Sequence, residues 1–214
     1  MSTISAGTTS TTGISVSSDT SGNLVLNPTN FLSATPNSLG TSRVPAEQFY
    51  ELNTALAGAN ATGVQNILGV GVTLVGSTIY QFEGFFPLSK SAGVTSHTIS
   101  LLFGGTATIN NIAYSIYSQT DTVSWLGIPP SGTATYGLIQ AATATVITGA
   151  QTAAAQFRTT FIKGIVSINA GGTLIPQYSL SAAPGGAYTT AIGSYFKISP
   201  LAVSGSNVSI GNWA

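Results

Sequence analysis

Charged side chains are scarce in this 214-residue chain, which has five Lys or Arg, five Asp or Glu and a formal net charge of zero. They make up 5% of the sequence, against about 25% in an ordinary soluble domain. Five dispersed cations cannot form a basic patch, so the composition excludes recognition of nucleic-acid phosphates. Weak electrostatic repulsion also favours association, which predicts a chain that works packed within a larger assembly.

Cysteine is absent and histidine occurs once, at His97. The lack of thiols excludes disulfides, thiolate zinc sites and a cysteine nucleophile. The few carboxylates are dispersed along the chain, so neither a metal-ligand set nor the paired acids of a glycan hydrolase is expected. His97 precedes a strand and no Gly-x-Ser-x-Gly motif accompanies it, which favours a structural polar residue. We therefore predict no enzyme activity, no catalytic residue, no metal and no cofactor.

Long apolar runs are also missing, because Gly, Ser and Thr interrupt them before the roughly 20 residues that a membrane-spanning helix needs. No membrane partner is expected. What the chain has instead is a series of short alternating apolar segments, separated by turn residues, with no helix among them. Eight or more such segments follow Val70 and predict an all-β, jelly-roll-like antiparallel β-sandwich over residues 71–214.

The principal predicted strands are Tyr80–Phe86, Thr98–Phe103, Ile109–Tyr117, Thr143–Thr148, Phe157–Ile168, Leu174–Leu180, Tyr195–Ile198 and Val208–Ile210. Successive side chains of a strand point to opposite faces of its sheet. In Phe157–Ile168, this rule places Ile162, Gly164 and Val166 on one face and Phe161, Lys163 and Ile165 on the other.

The residues before the sandwich differ in pattern. Residues 1–40 are rich in Ser, Thr, Gly and Asn, and a hairpin-like segment contains Leu24 and Leu26. They favour an extended N-terminal β-arm that neighbouring subunits order, and the alternative is a disordered polar tail. Residues 41–70 are predicted to form one short helix and a connector, because Phe49, Leu52 and Leu56 recur at helical spacing. These five apolar residues are our candidates for contact with trimer partners or with a capsid shell.

Two further features allow more than one interpretation. Glu83 lies inside an aromatic strand, so its carboxylate must be paired, hydrogen-bonded or facing outward, and Lys163 or Arg158 could pair with it. Trp125 and Tyr136 flank a Pro-Pro segment and could form a ligand-facing aromatic surface on loops of the sandwich. The alternative is that Trp125 fills the core of a loop.

Several short motifs resemble those of a family of structural proteins from environmental phages, over residues 78–214. The motifs are Tyr80-Gln81-Phe82-Glu83, Ser96-His97-Thr98, Phe103-Gly104-Gly105-Thr106-Ala107, Gly171-Gly172-Thr173-Leu174-Ile175-Pro176-Gln177, Gly193-Ser194-Tyr195-Phe196 and Gly211-Asn212-Trp213-Ala214. The strand count and length are also similar to the trimeric jelly-roll heads of the tumour-necrosis-factor and complement-head class, a likeness of architecture alone. These resemblances imply a homotrimer on the surface of a virion.

The functional hypothesis is a bacteriophage virion structural protein. In this hypothesis it is a homotrimeric capsid decoration or cement protein that binds the major capsid protein or other virion proteins and stabilises the head. The alternative is a short tail or head fibre whose outer loops bind host-surface glycans. The absence of a long repeated shaft favours the decoration protein.

Overall fold

The computed structural model describes residues 47–121, 134–205 and 207–208. Within them the chain forms thirteen β-strands and no helix. The strands are β1 Gln48–Glu51, β2 Leu56–Ala57, β3 Gly63–Asn66, β4 Val72–Leu74, β5 Thr78–Lys90, β6 His97–Gly104, β7 Thr108–Asp121, β8 Ala134–Ile139, β9 Thr145–Gln151, β10 Gln156–Ala170, β11 Gly172–Leu180, β12 Thr189–Thr190 and β13 Tyr195–Val203. In this part of the chain no helix is long and apolar enough to cross a membrane.

The strands form two antiparallel sheets. The large sheet has the order β1-β13-β5-β10-β7-β8, and β12 joins it by pairing with β5 and β2. The small sheet has the order β3-β11-β6-β9, and β4 also pairs with β11. The chain passes repeatedly from one sheet to the other, as from β5 to β6 and from β10 to β11, so strands that follow each other in sequence often lie in opposite layers. The protein is therefore an all-β sandwich.

One apolar core fills the space between the sheets. Phe82 of the large sheet packs on Phe103 of the small sheet with ring centroids 5.4 Å apart, and Phe103 contacts Tyr114 at 5.5 Å. Edge-to-face geometry of this kind stabilises aromatic pairs beyond the burial of their area. These rings pack β5 and β7 of the large sheet against β6 of the small sheet.

The alternation predicted for Phe157–Ile168 is confirmed. Ile162 and Val166 are fully buried in the core, whereas Lys163 and Ile165 are exposed on the other face of the sheet. The strand is longer than predicted, because β10 pairs along nearly its whole length with both β5 and β7.

The predicted short helix is wrong for the residues that the structure describes. Gln48–Glu51 is a strand that pairs with Tyr195–Ile198, and Leu56–Ala57 is a strand that pairs with β12. Pairing with a neighbouring strand outweighs local helix propensity, which is a weak preference. The apolar spacing of Phe49, Leu52 and Leu56 imitates a helical stripe without forming one.

Two predicted elements fall wholly or partly outside the described residues: the N-terminal arm of residues 1–40 and the end of the strand predicted at Val208–Ile210. Sequence patterns did not predict β8, whose alternation is interrupted by Gly137. The pairing of Ala134–Ile139 with β7 places β8 at the edge of the large sheet.

Candidate functional site, the outer face of the large sheet

Five aromatic side chains form a row across the outer face of the large sheet. The strand registers place Tyr195 opposite Phe85, Phe85 opposite Phe161, Phe161 opposite Tyr117, and Tyr117 opposite Tyr136. Directly opposite residues of an antiparallel pair project from the same face. The row therefore crosses β13, β5, β10, β7 and β8 without interruption, and we call it the aromatic row.

The aromatic row faces away from the core. The residues that follow three of its members, which are Phe196, Phe86 and Ile162, are buried between the sheets, and so is Ile116, which precedes Tyr117. Within the row, Tyr136 is 72% exposed and the other four rings are partly exposed. Tyr117 and Tyr136 have ring centroids 5.0 Å apart, and those of Phe85 and Tyr195 are 6.1 Å apart. The five rings therefore lie in one line across the outer face, open to solvent, and the pairs at its two ends are in ring contact.

A second row, two residues further along the same strands, carries alternating charges. Lys197, Glu83 and Lys163 lie opposite one another on β13, β5 and β10. The Tyr195 hydroxyl donates to Glu83 Oε1 at 2.7 Å. That hydrogen bond, together with burial, raises the pKa of Tyr195 to about 12. We call these three residues the charge row.

The predicted ion pairs of Glu83 with Lys163 or Arg158 do not form. Lys163 lies opposite Glu83 in register, but the one ion pair within 4 Å among the described residues joins Lys197 Nζ to Glu47 Oε2 at 3.9 Å. Arg158 is buried in the core instead. Glu83 is therefore held by a tyrosine hydroxyl, which leaves the charge of Lys163 available to a partner.

A shallow depression of about 380 Å³ lies beside the exposed end of the aromatic row. Its lining includes Tyr117, Tyr136, Phe161 and Lys163. Tyr136, predicted as a ligand-facing aromatic, thus lies on strand β8 and at a surface, whereas Trp125 is outside the described residues. The next outward-facing residue of β8, Leu138, is 65% exposed.

The residues predicted to contact trimer partners or a capsid shell differ in their exposure to solvent. Phe49 of β1 is 57% exposed and packs on Tyr195 with ring centroids 5.6 Å apart, so it extends the apolar surface beside the aromatic row. Leu52 is buried in the chain's own core, and Leu56 is partly buried against that core. Leu24 and Leu26 lie outside the described residues.

His97 is a buried residue with hydrogen bonds at both ring nitrogens. Nδ1 lies 2.7 Å from the carbonyl oxygen of Thr95, which can only accept, and Nε2 lies 2.7 Å from the hydroxyl of Tyr188. The same hydroxyl is also within hydrogen-bond distance of Gln156 Oε1, so its single proton is donated either to His97 Nε2 or to Gln156. Burial and the charge of Lys90 lower the pKa of His97, against the opposing effect of the Thr95 hydrogen bond. These contacts connect the first residue of β6 to Tyr188, the residue before β12.

Lys90, another polar group of the core, has an enclosed ammonium group. Its Nζ lies 2.7 to 3.2 Å from four backbone carbonyl oxygens, those of Ala92, Gly93, Ala153 and Ala154, which share its three N–H donors. Burial lowers the pKa of Lys90. Four neutral acceptors replace the hydration shell, and they fasten the loop after β5 to the loop before β10.

Arg158 is almost fully buried on the core side of β10. Its guanidinium donates to Ser118 Oγ at 2.6 Å, to the carbonyl of Ile147 at 3.2 Å and to Thr120 Oγ1. Burial lowers the pKa of Arg158 to about 10. The contacts join β10, β7 and β9, so this cation links the two sheets.

An apolar groove of about 330 Å³ opens between the sheets beside β1. Tyr50 and Phe196 line it on the side of the large sheet, and Leu68, Val72 and Pro176 line it on the other. In the part of the chain that the structure describes, no group of three or more His, Cys, Asp or Glu side chains could hold a metal ion.

Comparison with known proteins gives little. No family model matches the chain. No curated protein matches it either. One solved structure, described as the structure of infectious bursal disease virus Gx strain, is 10% identical to this chain with a TM-score of 0.14. The comparison covers 94% of this chain, which spans 46% of the length of that one. A TM-score this low carries no argument about fold or function.

Proposed function

We propose that this chain is a non-catalytic structural protein whose outer face binds neighbouring protein subunits in a virion. The observation that carries the proposal is the aromatic row. Aromatic side chains are enriched among the residues that dominate binding at protein interfaces, and charged groups around them set specificity. A ridge of five partly exposed rings flanked by a charge row has the composition of such an interface.

The scarcity of charge supports the same conclusion. A soluble chain that works alone benefits from charges spread over its surface, which oppose self-association. Here the faces of the small sheet carry Ser, Thr, Gln, Asn and aliphatic residues instead. Such a surface is suited to permanent packing among other proteins.

The finer proposal rests on the resemblance to phage structural proteins. In it the chain is a jelly-roll subunit of a homotrimer on the particle surface, which decorates the capsid, binds the major capsid protein and stabilises the head. Phe49, beside the aromatic row, and the N-terminal residues including Leu24 and Leu26 would contact partner subunits or the shell. Three linked arms would gain affinity through effective concentration.

The test uses purified phage particles and a mutant phage that lacks the gene. We expect the protein in purified virions by mass spectrometry. We also expect particles without it to lose heat resistance while adsorption to host cells is unchanged. Adding back purified wild-type protein should restore heat resistance.

Variants of the aromatic row sharpen the test. The double variant Tyr117→Ser with Tyr136→Ser should bind depleted particles at least tenfold more weakly, since an interface aromatic contributes on the order of 1 to 3 kcal/mol. Val64→Ser with Val146→Ser, which changes exposed residues of the small sheet, is the matched control and should bind normally. Equal binding by both double variants would refute the aromatic row as the contact surface.

The depression beside Tyr136 favours one second candidate, a short fibre that binds host glycans. Aromatic rings that line a shallow site can stack on sugar faces, and Lys163 at its margin could bind an acidic sugar. For such a fibre, Trp125→Ala with Tyr136→Ala would reduce adsorption and leave the heat resistance of the particle unchanged. If the chain is a decoration protein, the same double variant should leave adsorption unchanged and lower the heat resistance of the particle.

A further inference from the structure

Within the residues that the structure describes, the exposed charges are concentrated on one surface. Eight charged residues lie within the described part of the chain, and three of them, Lys90, Asp121 and Arg158, are buried. The other five are Glu47, Glu51, Glu83, Lys163 and Lys197. Every one of these five is on the outer face of the large sheet or, for Glu47, beside it and paired with Lys197.

The two signs are interleaved on this face. Lys197, Glu83 and Lys163 alternate across three neighbouring strands. Glu51 lies opposite Tyr195 at the end of the aromatic row. A contact between identical chains must pair charges drawn from a single set, so it requires both signs on the surface concerned. A face of one sign would instead fit a partner of opposite charge.

We propose that the partner bound by the outer face is a second copy of this chain. The proposal deepens the assembly function above and rests on it. A contact in which the same face meets on both copies is two-fold, so it would join subunits of neighbouring trimers. Its loss would also weaken binding to depleted particles, because fewer linked contacts would hold the protein there. Aromatic rings of the two copies would pack together, while Lys163 and Lys197 of each copy would face Glu51 and Glu83 of the other. The charges then fix the register of a contact that the rings stabilise.

The size of the face is sufficient. Six strands at a spacing of about 4.8 Å span about 24 Å, and nine residues of β10, from Phe157 to Ile165, span about 27 Å. The product of these lengths is a flat area of about 650 Å² per copy, and the projecting side chains add to it. This is close to the roughly 800 Å² per partner that a standard stable interface buries. The faces of the small sheet, without a charged residue among those described, offer no comparable pairing of charges.

The experiment exchanges the signs on full-length protein. The acidic variant carries Lys163→Glu and Lys197→Glu, and the basic variant carries Glu51→Lys and Glu83→Lys. Sedimentation velocity and native mass spectrometry measure the assembly of each variant alone and of an equimolar mixture. We expect each variant alone to associate at least tenfold more weakly than wild type, because like charges then meet across the contact. The mixture should form mixed oligomers with an affinity close to that of wild type.

Two controls keep the test interpretable. Val146→Lys places a new charge on an exposed residue of the small sheet and should leave assembly unchanged. Because Glu83→Lys removes the acceptor of the Tyr195 hydroxyl, a second basic variant, Glu47→Lys with Glu51→Lys, changes the sign without that loss. Circular dichroism and thermal melting establish that each variant is folded.

A wild-type protein that stays monomeric at about 100 µM overturns the proposal, since a contact too weak to form there has a free energy below about 5.5 kcal/mol. Variants that self-associate as tightly as wild type also overturn it. If the protein is monomeric in solution but present in purified virions, the contact between copies is refuted and the proposed function stands. If it self-associates but is absent from virions, the proposed function is refuted and the contact between copies stands.

Discussion

Two tyrosines of the core predict opposite effects for the same substitution. Tyr114 of β7 and Tyr80 of β5 are both almost completely buried, and burial raises the pKa of each. The Tyr114 hydroxyl has no hydrogen-bond partner among the described residues. The Tyr80 hydroxyl accepts the backbone N–H of Val75 at 2.8 Å. Replacing tyrosine by phenylalanine removes only the hydroxyl, so the pair isolates the effect of that partner.

The expected magnitudes follow from the cost of a buried unpaired polar group, about 1 to 3 kcal/mol. Tyr114→Phe removes such a group and should raise the free energy of unfolding by about 1 kcal/mol. Tyr80→Phe leaves the N–H of Val75 unpaired and should lower it by about 1 to 2 kcal/mol. In a domain of this size these changes shift Tm by about 2 to 4 °C per kcal/mol.

Urea denaturation of the two variants and wild type, followed by circular dichroism in one buffer, measures both changes. The slope against urea should stay constant, so the midpoints report stability directly. If Tyr114→Phe lowers stability as much as Tyr80→Phe does, the Tyr114 hydroxyl is hydrogen bonded in the folded protein and the reasoning fails.

Three further predictions concern a glycine, the histidine and the arm. Gly164→Ala would place a Cβ 2.3 Å from the carbonyl oxygen of Ala113 and should cost about 1 to 3 kcal/mol in urea denaturation, whereas Gly137→Ala, with open space around its Cβ, should not lower stability by as much. The pKa of His97 is lowered in the folded protein, so below pH of about 6.5 the unfolded chain binds a proton at His97 that the folded protein does not. The free energy of unfolding should therefore fall as the pH drops from about 6.5 to 5. His97→Gln should make this pH dependence weaker, and an unchanged pH dependence would contradict the argument. Deleting Met1 to Asn37 should leave Tm unchanged and abolish attachment to particles, and normal occupancy by the truncated protein would show that the arm is not the anchor.

Alternation along single strands was predictable, because it depends on the two-residue period of a strand and on the contrast between apolar and polar side chains. Ile162 and Val166 were correctly assigned to one face, and Lys163 and Ile165 to the other. The helix prediction failed because spacing along the chain cannot reveal a pairing partner. Gln48–Glu51 is extended by hydrogen bonds to a strand about 150 residues away in sequence, which no local pattern encodes.

The candidate site was mostly unpredictable for the same reason. Phe85, Phe161 and Tyr136 are far apart in sequence and are brought into one row only by the registers of three strand pairs. A shift of one residue in any of these registers would turn the side chains of that strand to the opposite face. The burial of Lys90 and Arg158 was also missed, because the carbonyl and hydroxyl groups that enclose them come from loops and strands remote in sequence.

The carbonyl cage around Lys90 has a practical consequence for chemical labelling. The chain contains three lysines, Lys90, Lys163 and Lys197. Acylating reagents require an accessible, unprotonated amine, and four backbone carbonyls enclose the ammonium of Lys90. Apart from the α-amino group, a dye or cross-linker should therefore react only with Lys163 and Lys197. Both lie on the outer face, so the extent of their acylation reports directly whether that face is covered.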